Sequence, residues 1–389
     1  MIRLTIALAL VPLAFAVPPS AAQAKQRENV LYAFTGSKDG KSPYNGLIRD
    51  KTGNLYGATY AGGAGMGVVF QVAPDGSQTV LHAFAGKDGS GPASDLIADK
   101  KGNLYGTTTA GGSANQGVIF SLKPGGRERV LYAFKGGTDG GFPVGALLMD
   151  KGGNIYGTTQ YGGGACNCGT VFKLAPDGTE TLLHVFAEGK DGAYPVARLY
   201  RDKAGNLFGT TYEGGGSSNC GQYGCGTVFE ISAAGKESVL HGFVGTDGAL
   251  PNGGLVADKT GNLYGTTFEG GGSSNCQGGC GAVYKLADDG SFAVLHAFTG
   301  SDGANPGSDL LAAGKGGLYG TSVAGGAANL GTVFAVKADG SESVLYSFAS
   351  GSDGANPISD LVAGAGGELY GTTSAGGTAN AGTVFSVKK

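Results

Sequence analysis

Seven copies of one short pattern limit what this chain can fold into. Gly-Asn-Leu-Tyr-Gly-Thr-Thr, at 102–108, recurs with small changes, and its aromatic position is filled by Tyr56, Tyr105, Tyr156, Phe208, Tyr264, Tyr319 and Tyr370. The spacing is roughly 50 residues, a period that marks stacked supersecondary units. Such stacks lengthen without one ever-growing core, so 389 residues do not demand several separately cored domains. The 78 glycines follow no triplet period, which excludes collagen. They alternate with Val, Phe, Leu and Tyr, a mixture with enough apolar surface to fold.

Each unit reads as four short strands. An apolar run ending in Phe, here called strand D, occurs at 30–34, 80–84, 130–134, 182–186, 239–243, 294–298 and 344–348. A loop with Asp-Gly and then Pro follows each one. Strand A (as at Asp95–Asp99), a Gly-bearing tight turn, strand B (Asn103–Thr108), a glycine-rich loop and strand C (Gly117–Leu122) complete the unit. Four strands repeated seven times predict an all-β fold, a seven-bladed β-propeller of four-stranded antiparallel blades. No segment has the 3.6-residue period of a helical solenoid, and the coils of a parallel β-helix are much shorter. The expected blades span 45–84, 94–134, 145–186, 197–243, 253–298, 308–348 and 358–388. The chain starts on a lone D strand and ends on a C strand, so residues 28–34 should complete the last blade and close the ring without free edges. The A–B and C–D turns are short and share one face. The longer D–A and B–C loops crowd the other face, where binding residues are expected.

Residues 1–24 read as a secretory signal peptide: Arg3 ahead of an apolar stretch from Leu4 to Val17, then Ala22-Gln23-Ala24 as a cleavage site. The expected product is one propeller domain, 25–389, secreted or periplasmic, monomeric, with no membrane span once the signal is removed. Net charge is −3 without a basic stripe, which argues against nucleic acid.

Few residues are placed for chemistry. All four histidines, His82, His184, His241 and His296, share one position of strand D, where Tyr32, Tyr132 and Tyr346 stand in the other copies. Exchange with tyrosine predicts a half-buried aromatic, not a catalytic base. No G-x-S-x-G elbow occurs, and the glycine-rich loops open no helix that could cradle phosphate. Six cysteines sit as close pairs in three consecutive B–C loops. Export and local pairing predict disulfides Cys166–Cys168, Cys220–Cys225 and Cys276–Cys280, with a zinc site as the alternative. The seven Asp-Gly pairs read as turns, since one aspartate per blade cannot converge on one calcium ion.

Departures from the repeat carry more information. Just ahead of strand A, Asp95, Asp309 and Asp360 stand in blades two, six and seven, with Asn45-Gly46 in blade one and Arg198 in blade four, roughly opposite the acids once the ring closes. The aspartates predict an acidic arc near the channel mouth, able to take a cation such as calcium or the hydroxyls of a sugar, or else to cap strands. Tyr60, Tyr161, Tyr212 with Glu213, and Phe268 with Glu269 flank Gly-Gly in the B–C loops. Aromatics beside carboxylates suit carbohydrate stacking, and equally suit packing beneath a loop.

In its repeated G-N-L-Y-G-T-T, G-G, G-T-V-F and D-G-x-x-P elements the chain resembles the GloVer (Gloeo-Verruco) tandem-repeat family over nearly all of 25–389. That resemblance implies secreted or surface proteins with varied anchors and no settled activity. It departs from anchored members by ending on strand C at Lys389 without a sorting segment. Propellers with D-x-x-G-N-L-Y units, some of them metal-dependent lactonases or lyases, are similar more loosely. The leading expectation is a non-catalytic binding or scaffold protein acting through its long-loop face on an extracellular polysaccharide or envelope component. The alternatives are a lactonase- or lyase-type enzyme with a carboxylate-held metal at the mouth, and a purely structural envelope protein.

Overall fold

The computed structural model describes residues 28–313, 317–349 and 351–389. The expected signal segment, its expected cleavage site and the expected start at Lys25 lie outside them. Among the described residues the strands form seven antiparallel sheets, each in the order A-B-C-D. Blade two has strand A at Ile97–Ala98, B at Leu104–Ala110, C at Val118–Leu122 and D at Glu128–Ala133. The first strand of the chain, Glu28–Ala33, pairs with the last, Thr383–Lys388, in a register from Glu28↔Val387 to Ala33↔Thr383. The ring is therefore closed by the N-terminal strand.

Strand A is shorter than the sequence suggests. The stretch expected at Asp95–Asp99 pairs only over Ile97–Ala98. Upstream, Ser90–Pro92 forms a separate short strand against the far end of strand B, and Ala304–Pro306 repeats this in blade six. The break has a local cause. In every blade the residue before the loop proline is left-handed: Ser42, Gly91, Phe142, Tyr194, Leu250, Asn305 and Asn356 have φ of 54–62°. One such residue ends an extended run, and for Phe, Tyr and Leu it is a costly conformation. The chain steps off strand B there, and rejoins it as strand A after the axial mouth has been lined.

The blades hold one another through aromatic pairs. The Phe just after strand D of one blade meets the strand-C aromatic of the next, edge to face. The pairs are Phe34–Phe70, Phe84–Phe120, Phe134–Phe172, Phe186–Phe229, Phe243–Tyr284, Phe298–Phe334 and Phe348–Phe385, with centroids 4.9–5.3 Å apart. All are buried, and such pairs add to the large apolar area each ring removes from water. They also explain the second glycine of the repeat. A Cβ at Gly106 would lie 2.8 Å from the Phe120 ring, and one at Gly157 would lie 2.7 Å from Phe172. The aromatic occupies the space a side chain would need.

The remaining motif letters lock the A–B turn. Asp50 Oδ1 accepts the N–H groups of Thr52 and Asn54, and Oδ2 accepts from the Asn54 amide and the Tyr56 hydroxyl. Asp99, Asp150 and Asp258 repeat these contacts with Asn103, Asn154 and Asn262. These hydrogen bonds hold Asp50 and Asp258 below the ordinary carboxylate range, against the opposing effect of burial. The D-x-x-G-N-L-Y unit is thus a hairpin device whose tyrosine binds its own turn.

Two measurements check this packing. If the terminal strand closes the ring, Phe34→Ala and Phe134→Ala should each cost about 3–5 kcal/mol in denaturant unfolding. A loss well below that of Phe134→Ala would refute closure. Tyr284 replaces the usual Phe, and its buried hydroxyl has no partner among the described residues. Tyr284→Phe should therefore raise stability by about 1 kcal/mol or more.

Candidate functional site at the axial mouth

The seven residues just ahead of strand A meet around the axis. They are Gly46, Asp95, Ala146, Arg198, Gly254, Asp309 and Asp360 in blade order. Above them a cavity of about 290 Å³ is lined from all seven blades, with Tyr44, Asp95, Arg198, Asn252, Asp309 and Asp360 in its wall. The motif positions of strands B and C keep nearly one residue type throughout, as in the glycine at 57, 106, 157, 209, 265, 320 and 371. Here the repeat supplies glycine, alanine, three acids and one base.

The three aspartates are fixed by the neighbouring blade. Asp95 accepts the Gly46 N–H, Asp309 that of Gly254, and Asp360 that of Asp309, the last at 2.6 Å. Each carboxylate thus caps the equivalent position of the preceding blade, rather than its own strand. The glycines leave room for this: a Cβ at Gly46 would lie 2.7 Å from Asp95 Oδ2, and one at Gly254 would lie 2.8 Å from Asp309 Oδ1. Arg198, expected across the ring from the acids, reaches over the mouth and pairs with Asp309 at 2.8 Å. The mouth is narrow enough for blade four to meet blade six.

The charges do not cancel. Burial and the Asp360 carboxyl push Asp309 up to about 7, against the pull of Arg198 and the Gly254 N–H. Burial and Asp95 hold Asp360 well above the ordinary value. The Arg198 guanidinium is raised, chiefly by Asp309. The mouth therefore holds protons on some of its carboxyls near neutrality. It offers both hydrogen-bond donors and acceptors.

Aromatic residues rise beside it. Tyr44 and Tyr60 stand edge to face at 5.6 Å, 42 % and 40 % exposed. Tyr44 lies two residues ahead of Gly46, and that spacing from strand A was the signal in the sequence that could have singled it out. The other loop residues proposed from sequence are placed differently. Tyr161 sits between Phe142 and Tyr194, at 5.6 and 5.7 Å. Tyr212, Glu213, Phe268 and Glu269 are half-buried in their loops. None of these five lines the cavity, whereas Asp95, Arg198, Asp309 and Asp360 do.

The strand-D histidines have a partner that sequence reasoning missed. His82, His184, His241 and His296 bond through Nε2 to Asp88, Asp191, Asp247 and Asp302, at 2.9–3.0 Å. Tyr32, Tyr132 and Tyr346 bond in the same way to Asp39, Asp139 and Asp353. A bulge in strand D, as between Val130 and Tyr132, re-aims this side chain. The aspartate also accepts a backbone N–H at the end of strand D, as from Ala85 to Asp88. One contact set thus serves both the turn and the aromatic position. Three disulfides, Cys166–Cys168, Cys220–Cys225 and Cys276–Cys280, close the B–C loops of blades three to five, and no free cysteine remains among the described residues. They suit an oxidising extracellular or periplasmic setting. Among the described residues no helix is long and apolar enough to cross a membrane.

The acidity of the mouth gives a pH dependence. In the unfolded chain Asp309 and Asp360 titrate near the ordinary value of about 3.9. In the folded chain they keep their protons to higher pH. Between about pH 4 and 7 the unfolded state therefore binds fewer protons, and stability falls as pH rises. Glu28, Glu128, Glu180 and Glu342, each raised to about 7 first by burial, push in the same direction. Asp360→Asn keeps the acceptor for the Asp309 N–H and removes one acid. It should flatten part of this slope, measured as the melting temperature at pH 5 and pH 8.

Comparison with known proteins follows this architecture. The staphylococcal virginiamycin B lyase from Staphylococcus aureus has a similar structure, with a TM-score of 0.58 at 12% identity, covering 93% of this chain and 98% of the lyase. The extracellular domain of a one-component system protein from B. thetaiotaomicron gives 0.56 at 13% identity, over 91% of this chain and 40% of that one. PorZ, a surface component of the type-IX secretion system of Porphyromonas gingivalis, gives 0.52 at 14% identity, over 90% and 46%. At these identities the likeness is one of fold, and the chain spans less than half of the latter two. No curated protein matches the sequence. The Gloeobacter/Verrucomicrobia repeat matches residues 14–222 and 215–389, and the chain belongs to that family.

Proposed function

We propose that this is an exported, non-catalytic binding protein that takes a saccharide end group, neutral or amino-bearing, at its axial mouth. The observation that carries this reading is the arc Asp95–Asp360–Asp309–Arg198, where one axial position of the seven copies brings three acids and a base together in a cavity wall. Function must break a sevenfold symmetry, and a single axial ligand meets all seven blades at once. The chemistry fits a polyol. Fixed carboxyls and a guanidinium offer directional donors and acceptors, and Tyr44 and Tyr60 offer apolar faces with polar tips. The cavity is at the small end of ligand pockets, so it suits one sugar ring more than a long chain. Acids outnumber the base by three to one, which favours an amino sugar over an acidic one. The mouth suits a metal ion less well, because Arg198 already pairs with Asp309. Export through the 1–24 segment supplies the compartment in which such glycans lie.

A second reading rests on the acidity of Asp309. A carboxyl raised to about 7 beside a protonated neighbour could exchange protons with a bound sugar or lactone. Turnover with one ionisation near 7, lost in Asp309→Asn, would favour it.

The test is a glycan array followed by calorimetry on the captured sugar. Tyr44→Ala should weaken binding about tenfold or more, equal to about 1.4 kcal/mol, with an unchanged melting temperature. Tyr223→Ala, at an exposed aromatic outside the cavity wall, should leave it unchanged. No captured glycan, or a loss at Tyr223 instead of Tyr44, would overturn the reading.

A further inference from the structure

A second set of polar groups lies at the blade boundaries, away from the mouth. The start of strand D in one blade packs against the His–Asp or Tyr–Asp pair of the blade before it. Five of the seven boundaries bring a glutamate there: Glu28, Glu128, Glu180, Glu237 and Glu342. In each the Oε1 atom is shut off from solvent and has no hydrogen-bond partner among the described residues. An acceptor buried without a donor, pressed against another carboxylate, is a costly arrangement. At three of the five the third group is an imidazole. His82, Asp88 and Glu128 each present a donor atom within 4.8 Å of the others, as do His184, Asp191 and Glu237, and His296, Asp302 and Glu342.

We propose that these three clusters are divalent first-row metal sites, each joining two adjacent blades: one to two, three to four and five to six. The donor set of one imidazole and two carboxylates suits Zn²⁺, Ni²⁺, Co²⁺ or Mn²⁺ better than calcium, which prefers oxygen alone. A zinc ion sits about 2.0–2.2 Å from nitrogen and carboxylate oxygen. The His Nε2 and Asp oxygen are already 2.9–3.0 Å apart, and a glutamate donor lies within 4.8 Å of both, so the three need only draw in around the ion. Entry of the ion replaces the proton shared by Nε2 and the aspartate, which leaves to solvent. The orphaned glutamate oxygen gains the partner it lacks. The histidine and aspartate side chains keep 18–22 % of their surface exposed, so the ion has a path in, and the remaining coordination positions can hold water.

The other boundaries act as internal controls. Glu180 faces Tyr132–Asp139 and Glu28 faces Tyr346–Asp353, where the phenol donates its proton to the aspartate and leaves no nitrogen ligand. His241–Asp247 has its imidazole, but Phe292 stacks on that ring at 3.8 Å where a glutamate would stand. Gln78 takes the remaining boundary and donates to the Asp39 carbonyl. Four histidines and five glutamates therefore coincide in three places.

The experiment titrates Zn²⁺ into the tag-free, chelator-treated chain by calorimetry and follows the melting temperature. Three ions should bind per chain with a rise in melting temperature. His82→Tyr reproduces the natural tyrosine boundaries and should leave two ions, as should Glu128→Gln. His241→Tyr should leave three. Absence of zinc binding would overturn the proposal. So would a stoichiometry untouched by His82→Tyr and Glu128→Gln, or one lowered equally by His241→Tyr.

Discussion

The contact on which the ring depends is the edge-to-face pair between the Phe ending strand D and the strand-C aromatic of the following blade. A four-stranded blade cannot bury its two faces alone. Each pair joins neighbours, and seven of them close a circle only if the first strand of the chain stands in the last blade. Much of the motif follows from this contact. The strand-B glycine yields its side-chain volume to the aromatic. The threonine after it bonds across to the next blade, as Thr107 does to the Pro143 carbonyl and Thr372 to that of Asn45.

A scaffold so regular makes its exceptions readable. At the mouth, glycines 46 and 254 are as much part of the arrangement as the acids, because their missing side chains admit Asp95 and Asp309. The carboxylates are therefore held by backbone from the adjacent blade and cannot swing away. Rigid placement lowers the entropy lost when a ligand is bound. At the boundaries the same logic works in reverse. A repeated His–Asp or Tyr–Asp pair is structural, and its chemistry changes only where a neighbouring glutamate meets an imidazole.

The fold was legible because periodicity is a local signal. Strand order, ring closure and the three disulfide pairs follow from spacing along the chain. The acidic arc was legible too, since Asp95, Asp309 and Asp360 depart from an aligned position. What escaped needed distances across the ring. Arg198 was expected opposite the acids, and only the narrowness of the mouth brings it onto Asp309. The contact between His82 and Asp88 depends on a strand bulge, and that with Glu128 on which residues face each other between blades. Residue type singles out the loop aromatics Tyr161, Tyr212 and Phe268, but none of them lines the cavity, whereas Tyr44 does.

The central claim is that binding occurs at the axis. Hydrogen–deuterium exchange of the chain with and without a saturating saccharide tests it directly. Protection should appear together in the segments 43–46, 92–95, 195–198, 306–309 and 357–360, which are far apart in sequence and meet only at the mouth. Protection confined to one blade or to the outer D strands, with these five segments unchanged, would contradict it.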